Sequence, residues 1–293
     1  MNRDSVLGTI TVALALSLVC ATVVATAAVA LRPIQAKNAE LERRRNILLA
    51  AGLYDADDPA KRNIEELFKQ VETRLVNLET GEYVEGDPAA FDAEQEAKDD
   101  VTGTAIPPEQ DIAGIKRRSK LAGIYLINDE QGELLQFVFP IKGKGLWSTM
   151  YGFLAVAPDL RTVNGITWYK QGETPGLGGE ISSEWFMDEW PGKKIYGPEG
   201  FVDDEEFGNV QVRVIKGNAE PGHEYFVDGI SGATITANGV TNTMRYWFGP
   251  DGFGPFIEKH APDAASAGSG ESAEPPADPG KPIDSPANPA NGG

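Results

Sequence analysis

The hydrophobic pattern begins with a long uncharged stretch. Asp4 precedes it, Arg32-Pro33 ends it, and the residues from Ser5 to Leu31 carry no charge. About 27 residues are enough to cross a hydrocarbon core of roughly 30 Å with some tilt. Ala25-Thr26-Ala27 also fits the cleavage pattern of a signal peptide, but the apolar part of such a peptide is usually only about 7–15 residues long. The pattern therefore favours an uncleaved, single-pass membrane anchor over residues 1–34.

Helical and extended segments are predicted in turn after the anchor. Residues 41–53 and 61–73 each carry apolar side chains at spacings that can share one face of a helix, and Gly52 is a plausible stop for the first. Residues 74–84 are predicted to be extended around a central turn. The acidic, proline-containing residues 86–110 are predicted to form an irregular surface excursion.

Five short apolar runs with strand character follow in the remaining chain. They are residues 124–127, 134–139, 146–157, 163–169 and 210–215. Residues 231–248 are predicted to form a helix that ends before Gly249-Pro250. Because strands and helices do not alternate regularly, the pattern predicts an α+β fold with a mostly antiparallel sheet and packed helices.

The same pattern divides the chain into four segments. Residues 1–34 are the anchor, 35–120 a helical and extended membrane-proximal segment, 121–260 the compact domain, and 261–293 a tail. The tail is rich in Pro, Ala, Gly, Ser and Asp, and Ile283 is its only large apolar side chain. Such a segment cannot bury enough surface to offset chain entropy, so we expect it to be disordered.

Composition excludes several classes of function. The formal net charge of −18 argues against nucleic acid as a partner, since such binding depends on Lys and Arg neutralising phosphates. A single cysteine, Cys20, leaves no intramolecular disulfide and no Cys-rich metal or iron–sulfur site. The two histidines, His223 and His260, lack metal-ligand spacing, so no metal site is predicted.

Familiar nucleotide and hydrolase motifs are also missing. The chain has no Walker-type loop, and Gly176-Leu177-Gly178-Gly179-Glu180-Ile181 has Ile181 where a dinucleotide fingerprint needs its third glycine. No Gly-x-Ser-x-Gly elbow is present either, so serine hydrolase chemistry has no support.

Two glycine-rich segments remain, Glu173–Glu180 and Asp228–Thr234. The second leads into a predicted helix, whose first free N–H groups attract phosphate, and its glycines let the backbone approach a ligand closely. A helix cap and a turn are the ordinary interpretation of such a segment. Aromatic side chains on the predicted strands either pack in the core or form walls for a flat ring. They are Tyr125, Trp147, Tyr151, Trp168 and Tyr169.

Three motifs together resemble the covalent FMN-binding domain family. Asp228-Gly229-Ile230-Ser231-Gly232-Ala233-Thr234 is similar to its Asp-x-x-Ser/Thr-Gly-Ala-Thr motif, and Glu173-Thr174-Pro175-Gly176-Leu177-Gly178 to its second signature. Gly145-Leu146-Trp147-Ser148-Thr149-Met150-Tyr151-Gly152 resembles the version in the C subunits of the Na⁺-translocating NADH:quinone reductases. The motifs occur in the family's order.

This resemblance implies FMN joined to Thr234 through a phosphoester. An external, Mg²⁺-dependent flavin transferase attaches it in the family, with FAD as donor. Ser231, Gly232 and Ala233 would then shape the phosphate loop, while Asp228 caps the turn or contacts Mg²⁺ during attachment. The remaining residues of the implied flavin site are Glu173, Thr174, Gly176, Leu177, Gly178, Trp147 and Tyr151.

The resemblance further implies an electron-transfer protein within a complex of six subunits in the bacterial inner membrane. The complex passes electrons from NADH to quinone and exports Na⁺, and this protein relays electrons between centres of its partners. The family's flavin domain faces the periplasm. The basic residues Arg32, Lys37 and Arg43-Arg44-Arg45 after the anchor predict the opposite orientation, although large domains can translocate regardless of such charges.

Two alternatives stay open from the sequence. One is the homologous G subunit of the ferredoxin-linked RNF electron-transport complex. The long segment before residue 121 and the stretch from Leu146 to Tyr151 favour the quinone reductase. The other, of a different class, is a non-catalytic membrane-anchored assembly protein whose glycine-rich segments are plain turns.

Overall fold

The structure is a computed structural model that describes residues 6–55, 57–58, 61, 63–203 and 206–261. The tail that we expect to be disordered lies outside these residues, apart from Ala261. The fold has the predicted α+β composition: a long N-terminal helix, a six-stranded antiparallel sheet and shorter helices.

Helix α1 (Val6–Ala50) joins two segments that the sequence pattern separates. It runs from the anchor through Pro33 into the predicted helix at 41–53 without a break. Gly52 ends it as predicted: its φ is +69°, and the N–H groups of Gly52 and Leu53 donate to the carbonyls of Leu49 and Leu48, which is the Schellman pattern.

The first part of α1 has the properties of a membrane span. An 18-residue window in it has a mean hydropathy of 2.4, and none of that window is buried within the protein. By length and composition the helix can cross a membrane. Its last turns differ, because Ile47 and Ala50 are fully buried against Tyr125 and Phe153 of the sheet.

The central sheet has the strand order β2-β1-β5-β6-β7-β8, with antiparallel neighbours throughout. Its strands are β1 (Val71–Asn77), β2 (Tyr83–Val84), β5 (Leu121–Asn128), β6 (Leu134–Lys144), β7 (Thr149–Val156) and β8 (Val163–Lys170). Two small sheets pair β3 (Gly103–Ala105) with β4 (Arg117–Ser119) and β9 (Arg213–Val214) with β10 (Phe226–Val227). Strand β1 belongs to the predicted membrane-proximal segment, residues 35–120, yet it pairs with β5 of the compact domain. The central sheet therefore contains strands from both segments.

The other helices are mostly short. They are α2 (Ile64–Leu67), α3 (Ala93–Glu96), α4 (Glu184–Met187), α5 (Thr234–Trp247) and α6 (Gly254–His260). Helices α5 and α6 cover the sheet face opposite α1, where the larger hydrophobic core lies. The sheet therefore separates the end of α1 from α5.

Two predicted elements differ most from the structure in extent. The predicted helix at 61–73 is only α2 and a 3₁₀ turn at Phe68–Gln70, after which Val71 to Thr73 pair with β5. Strand pairing overrides the helical spacing here, because β-branched side chains fit a pleated sheet better than a helix. The predicted strand at 210–215 is reduced to β9, although Val210, Val212 and Val214 are buried as its alternation predicts.

Candidate functional site

The predicted phosphate loop leads directly into α5. The helix begins at Thr234, three residues later than predicted, because Gly232 adopts a left-handed φ of +73°. Ala233 is the N-cap residue, and among the described residues no side chain caps the helix. The first N–H groups of a helix have no partners inside it, and the helix dipole places positive potential at them. The exposed hydroxyl of Thr234 therefore lies at an anion-attracting helix end.

A cleft of about 580 Å³ lies beside this helix end. One wall is formed by Ser231, Thr234 and Asn238, and the other by Lys216, Gly217 and Asn218, which follow β9. Lys216 is exposed and is the one cation among the lining residues. A phosphate at Thr234 would thus meet helix N–H groups, an ammonium group and amide side chains, which together suit a dianion.

Asp228 stabilises the wall opposite α5. Its carboxylate accepts hydrogen bonds from the N–H of Ala219 at 2.7 Å and from the side chain of Asn218 at 2.8 Å. Its own N–H donates to Glu189 Oε2 at 3.0 Å. These contacts fit the turn-capping interpretation of Asp228.

Glu173 connects the other two motifs to α5. Its Oε1 accepts from the N–H groups of Trp147 at 2.9 Å and Ser148 at 3.0 Å, and its Oε2 from the N–H of Leu146 at 3.0 Å. The hydroxyl of Thr236 also donates to Oε2, at 2.7 Å. These bonds explain why β7 starts at Thr149 instead of at 146 as predicted: the preceding N–H groups bind a carboxylate and not a strand.

The charge of Glu173 is maintained although its side chain is only 5% exposed. Burial raises the pKa of the carboxyl, but the hydrogen bonds from Thr236, Ser148, Trp147 and Leu146 outweigh it and hold the pKa below its ordinary value of 4.5. Several donors can stabilise a buried carboxylate without a cation. The ionised Glu173 carboxylate therefore links its own glycine-rich segment and residues 146–148 to α5 through hydrogen bonds.

Glycines permit the close approach of these segments. A Cβ on Gly178 would lie 2.9 Å from Glu173 Oε2 and would also overlap the Thr236 hydroxyl, and a Cβ on Gly145 would lie 2.6 Å from Glu173 Oε1. Gly176 has a φ of +75° in the turn that follows Glu173. The carbonyl of Thr174 closes that turn by accepting from the N–H groups of Leu177 and Gly179.

Leu177 brings the second signature to the phosphate loop. Its Cδ2 lies 3.0 Å from the position that a Cβ on Gly232 would occupy. Leu177, Trp147 and Ile235 are 42%, 66% and 57% exposed, which is unusual for large apolar side chains. They border the region in which Glu173 joins α5, so they offer apolar surface to a flat ring.

Not all of the aromatic side chains predicted to surround a flat ring lie near α5. Tyr151 lies with Phe153 and Tyr169 on the sheet face that α1 covers, so the sheet separates it from α5. Alternation along β7 explains this placement, because Met150 and Leu154 face α5 whereas Tyr151 and Phe153 face the side of α1. Tyr125 also lies on the α1 face, and Trp168 is buried in the core.

Sequence reasoning missed Lys216 to Asn218 as a wall of the cleft. The one available signal was Gly217, which follows the alternating valines and adopts a φ of +83°. No group of three or more His, Cys, Asp or Glu side chains is arranged to hold a metal in the described part of the chain.

Comparison with known proteins agrees with this geometry. Residues 145–249 match the family model described as the FMN-binding domain. The C subunit of the Na(+)-translocating NADH-quinone reductase of Haemophilus ducreyi is 48% identical over 259 residues, covering 88% of this chain and 95% of the relative. The protein of the same name from Vibrio alginolyticus is 44% identical over 259 residues, covering 88% and 96%.

Two solved structures of C subunits are also similar to this chain. The crystal structure of Shewanella oneidensis NqrC has a TM-score of 0.66 at 34% identity and covers 74% of this chain and 95% of that one. The crystal structure of the C subunit from Parabacteroides distasonis has a TM-score of 0.57 at 30% identity, covering 78% and 96%.

Proposed function

The chain belongs to the family of C subunits of the Na⁺-translocating NADH-quinone reductases, and from this membership we propose that it transfers electrons through FMN held at Thr234. It is a subunit of a multi-subunit oxidoreductase, and its cofactor is FMN. The membership favours this function over the RNF and assembly-protein alternatives. The observation that carries the site assignment is the exposed Thr234 hydroxyl at an uncapped helix end beside Lys216.

The residues present fit the FMN group. The phosphate would bind at the first N–H groups of α5, with Lys216 as its counterion, while Leu177 and Trp147 offer apolar surface to the ring system. When bound, the flavin supplies the redox chemistry, and the protein sets its position and its electrostatic surroundings. Glu173 positions these segments, because its carboxylate accepts hydrogen bonds from the backbone of Leu146 to Ser148 and from the hydroxyl of Thr236.

Covalent attachment needs help from outside the chain. No described residue is hydrogen-bonded to the Thr234 hydroxyl as a base, and an unactivated threonine is a poor nucleophile. We therefore propose that an Mg²⁺-dependent flavin transferase uses FAD as donor. Thr234 Oγ1 attacks the phosphorus of the FMN half, the pyrophosphate bond breaks, AMP leaves, and the hydroxyl proton passes to the transferase or to solvent. Exposure of Thr234 suits access by a second protein.

The wider assembly follows from the same membership. The apolar part of α1 indicates membrane anchoring, and we propose a single pass through the bacterial inner membrane, with the flavin domain in the periplasm. Within a complex of six subunits this one would take electrons from an iron–sulfur centre of membrane partners and pass them to another partner's flavin. With one cysteine, the chain cannot hold that iron–sulfur centre itself.

In-gel fluorescence tests the attachment site. The full chain is co-expressed with a flavin transferase, denatured, separated on a gel and viewed under ultraviolet light. We expect a fluorescent band for the unmodified chain, no band for Thr234→Val, and partial labelling for Thr234→Ser, which keeps the hydroxyl. A dark band for the unmodified chain, or a bright band for folded Thr234→Val, would contradict the proposal.

A further inference from the structure

The central sheet opens between two of its inner strands. Strand β5 pairs with β6 only from Tyr125 onward, where Tyr125 lies opposite Val138. Yet β5 pairs with β1 down to Leu121, and β6 pairs with β7 as far as Lys144. Pro140 has no N–H to donate to β5, which explains why the ladder stops there. Residues 121–124 and 139–142 therefore face each other without pairing.

This opening is part of a pocket of about 690 Å³, a size typical of small-molecule sites. The pocket reaches from Arg43 and Arg44 of α1, on one face of the sheet, to Trp247 of α5 on the other. Because it passes through the sheet and part of the layer on each side, it is elongated. Apolar side chains form most of its wall, including Tyr125, Pro140, Ile141, Phe153 and Tyr169.

The cations that line the pocket are paired with carboxylates, with one exception. At the mouth beside α1, Arg43 and Arg44 both bind Glu40, at 2.7 and 2.9 Å. Lys142 is paired with Glu94. Asp87 and Asp92 accept hydrogen bonds from nearby backbone N–H groups.

Arg118 is the exception. It lies on β4 and is only 7% exposed, and among the described residues no carboxylate forms an ion pair with it. Its NH1 donates to the carbonyl of Ser119 at 3.2 Å, and it lies near the Tyr246 hydroxyl, whose pKa it lowers against the larger, raising effect of burial. A buried cation without a counter-charge is unfavourable. An anion brought by a ligand would remove that cost.

We propose that this pocket binds an anionic amphiphile and takes up one of its hydrocarbon chains. The carboxylate or phosphate head accepts hydrogen bonds from the guanidinium of Arg118, and the chain passes through the sheet opening along Tyr125 and Phe153 towards α1. The opposite orientation is disfavoured, because Arg43 and Arg44 already share Glu40 and are partly solvated. The occupant is either a free fatty acid or a lipid from the membrane that α1 crosses; both have this chemistry.

Photocrosslinking of the full chain in phosphatidylcholine nanodiscs tests the proposal. The probe is palmitate with a diazirine on its chain, and labelled peptides are identified by mass spectrometry. We expect labels on peptides that contain Tyr125, Phe153 or Tyr169. Excess unlabelled palmitate should reduce them by about tenfold, whereas hexadecanol, which has the chain but no charge, should not. Labels confined to residues 6–31, or equal competition by hexadecanol, would overturn the proposal.

Variants of Arg118 add a second test. Arg118→Gln should reduce pocket labelling by about tenfold and Arg118→Lys should keep most of it. Arg117→Gln is the matched control, because Arg117 is the adjacent residue on β4 and does not line the pocket. Undiminished labelling of folded Arg118→Gln would also overturn the proposal; if that variant does not fold, the hexadecanol comparison on the unmodified chain decides.

The lipid composition of the nanodisc shows whether the occupant is a free fatty acid or a membrane lipid. If membrane lipid occupies the pocket, discs of phosphatidylglycerol should reduce palmitate labelling relative to discs of phosphatidylcholine. If a free fatty acid is the occupant, labelling in the two discs should be the same.

Discussion

The carboxylate of Glu173 accepts a hydrogen bond of 2.7 Å from the hydroxyl of Thr236. The bond ties the glycine-rich segment Glu173–Glu180 to the first turn of α5, two residues beyond the proposed flavin-bearing Thr234. Both partners are buried, at 5% and 1% exposure. Glu173 is therefore a positioning residue: it holds the loops around the proposed flavin site, and both of its carboxylate oxygens already accept hydrogen bonds from the protein.

Glu173→Gln should destabilise the protein and loosen the site. An amide has one acceptor oxygen, and its NH₂ group would face backbone N–H donors that now bind a carboxylate. We expect a loss of about 2–3 kcal/mol in the free energy of unfolding, measured by chemical denaturation of the full chain in detergent. Glu258→Gln, at an exposed carboxylate of α6, should change it by less than about 0.5 kcal/mol. Equal effects of the two variants would refute the positioning role.

The stabilisation by Glu173 should depend on pH. Since its folded-state pKa lies below the ordinary value of 4.5, its contribution is present above that value and is lost as the pH falls through the folded-state pKa. The stability difference between the unmodified chain and Glu173→Gln should therefore be full at pH 7 and shrink in acid below pH 4.5. Thermal unfolding of both proteins across this range measures it, and a difference that is constant with pH would contradict ionisation.

Gly178→Ala should disrupt the contact between Glu173 and Thr236 by steric overlap. The new methyl group would lie 2.9 Å from Glu173 Oε2 and overlap the Thr236 hydroxyl. We expect destabilisation of about 1–3 kcal/mol together with reduced flavin attachment at Thr234. Gly123→Ala is the matched control, because its methyl group would make only ordinary contacts, at 3.8 and 3.9 Å. If both variants take up flavin like the unmodified chain, close packing at Gly178 does not matter for the site.

Lys216→Gln should slow flavin attachment while the fold persists. The side chain is exposed and lines the cleft beside Thr234, so its loss removes a counter-charge for phosphate but no packing. We expect the initial rate of attachment by the transferase to fall about three- to tenfold, and the difference from the unmodified chain to narrow at high salt. Lys98→Gln, at an exposed lysine outside the cleft, serves as the control. An unchanged rate would remove Lys216 from the phosphate site.

Protease accessibility tests the orientation. If the flavin domain lies in the periplasm, protease added to intact spheroplasts should cleave it, whereas a cytoplasmic control protein stays whole. Arg32, Lys37 and the triplet from Arg43 to Arg45 predict the reverse from charge alone. Protection of the domain until the membrane is broken would therefore favour the charge rule over the family's arrangement.

The elements that depend on neighbouring residues in the sequence were predicted from the sequence alone. The uncharged run predicted the anchor, short apolar runs predicted most strands of the central sheet, and the segment Asp228–Thr234 predicted a helix start with free N–H groups. The helix predicted at 61–73 was too long, because the choice between helix and strand for Val71 to Thr73 depends on the distant partner β5. Residue spacing alone does not contain that information.

The tertiary structure alone decided which distant groups meet. Glu173 and Thr236 are far apart in sequence, Lys216 reaches the cleft from the loop after β9, and Tyr151 is separated from α5 by its position on β7. The sheet opening beside Pro140 likewise follows from strand pairing on both sides of it. The sequence by itself determined the anchor, most strands of the central sheet and the phosphate-attracting start of α5. Packing decided the rest, because burial and hydrogen bonding between distant segments depend on how the whole chain folds.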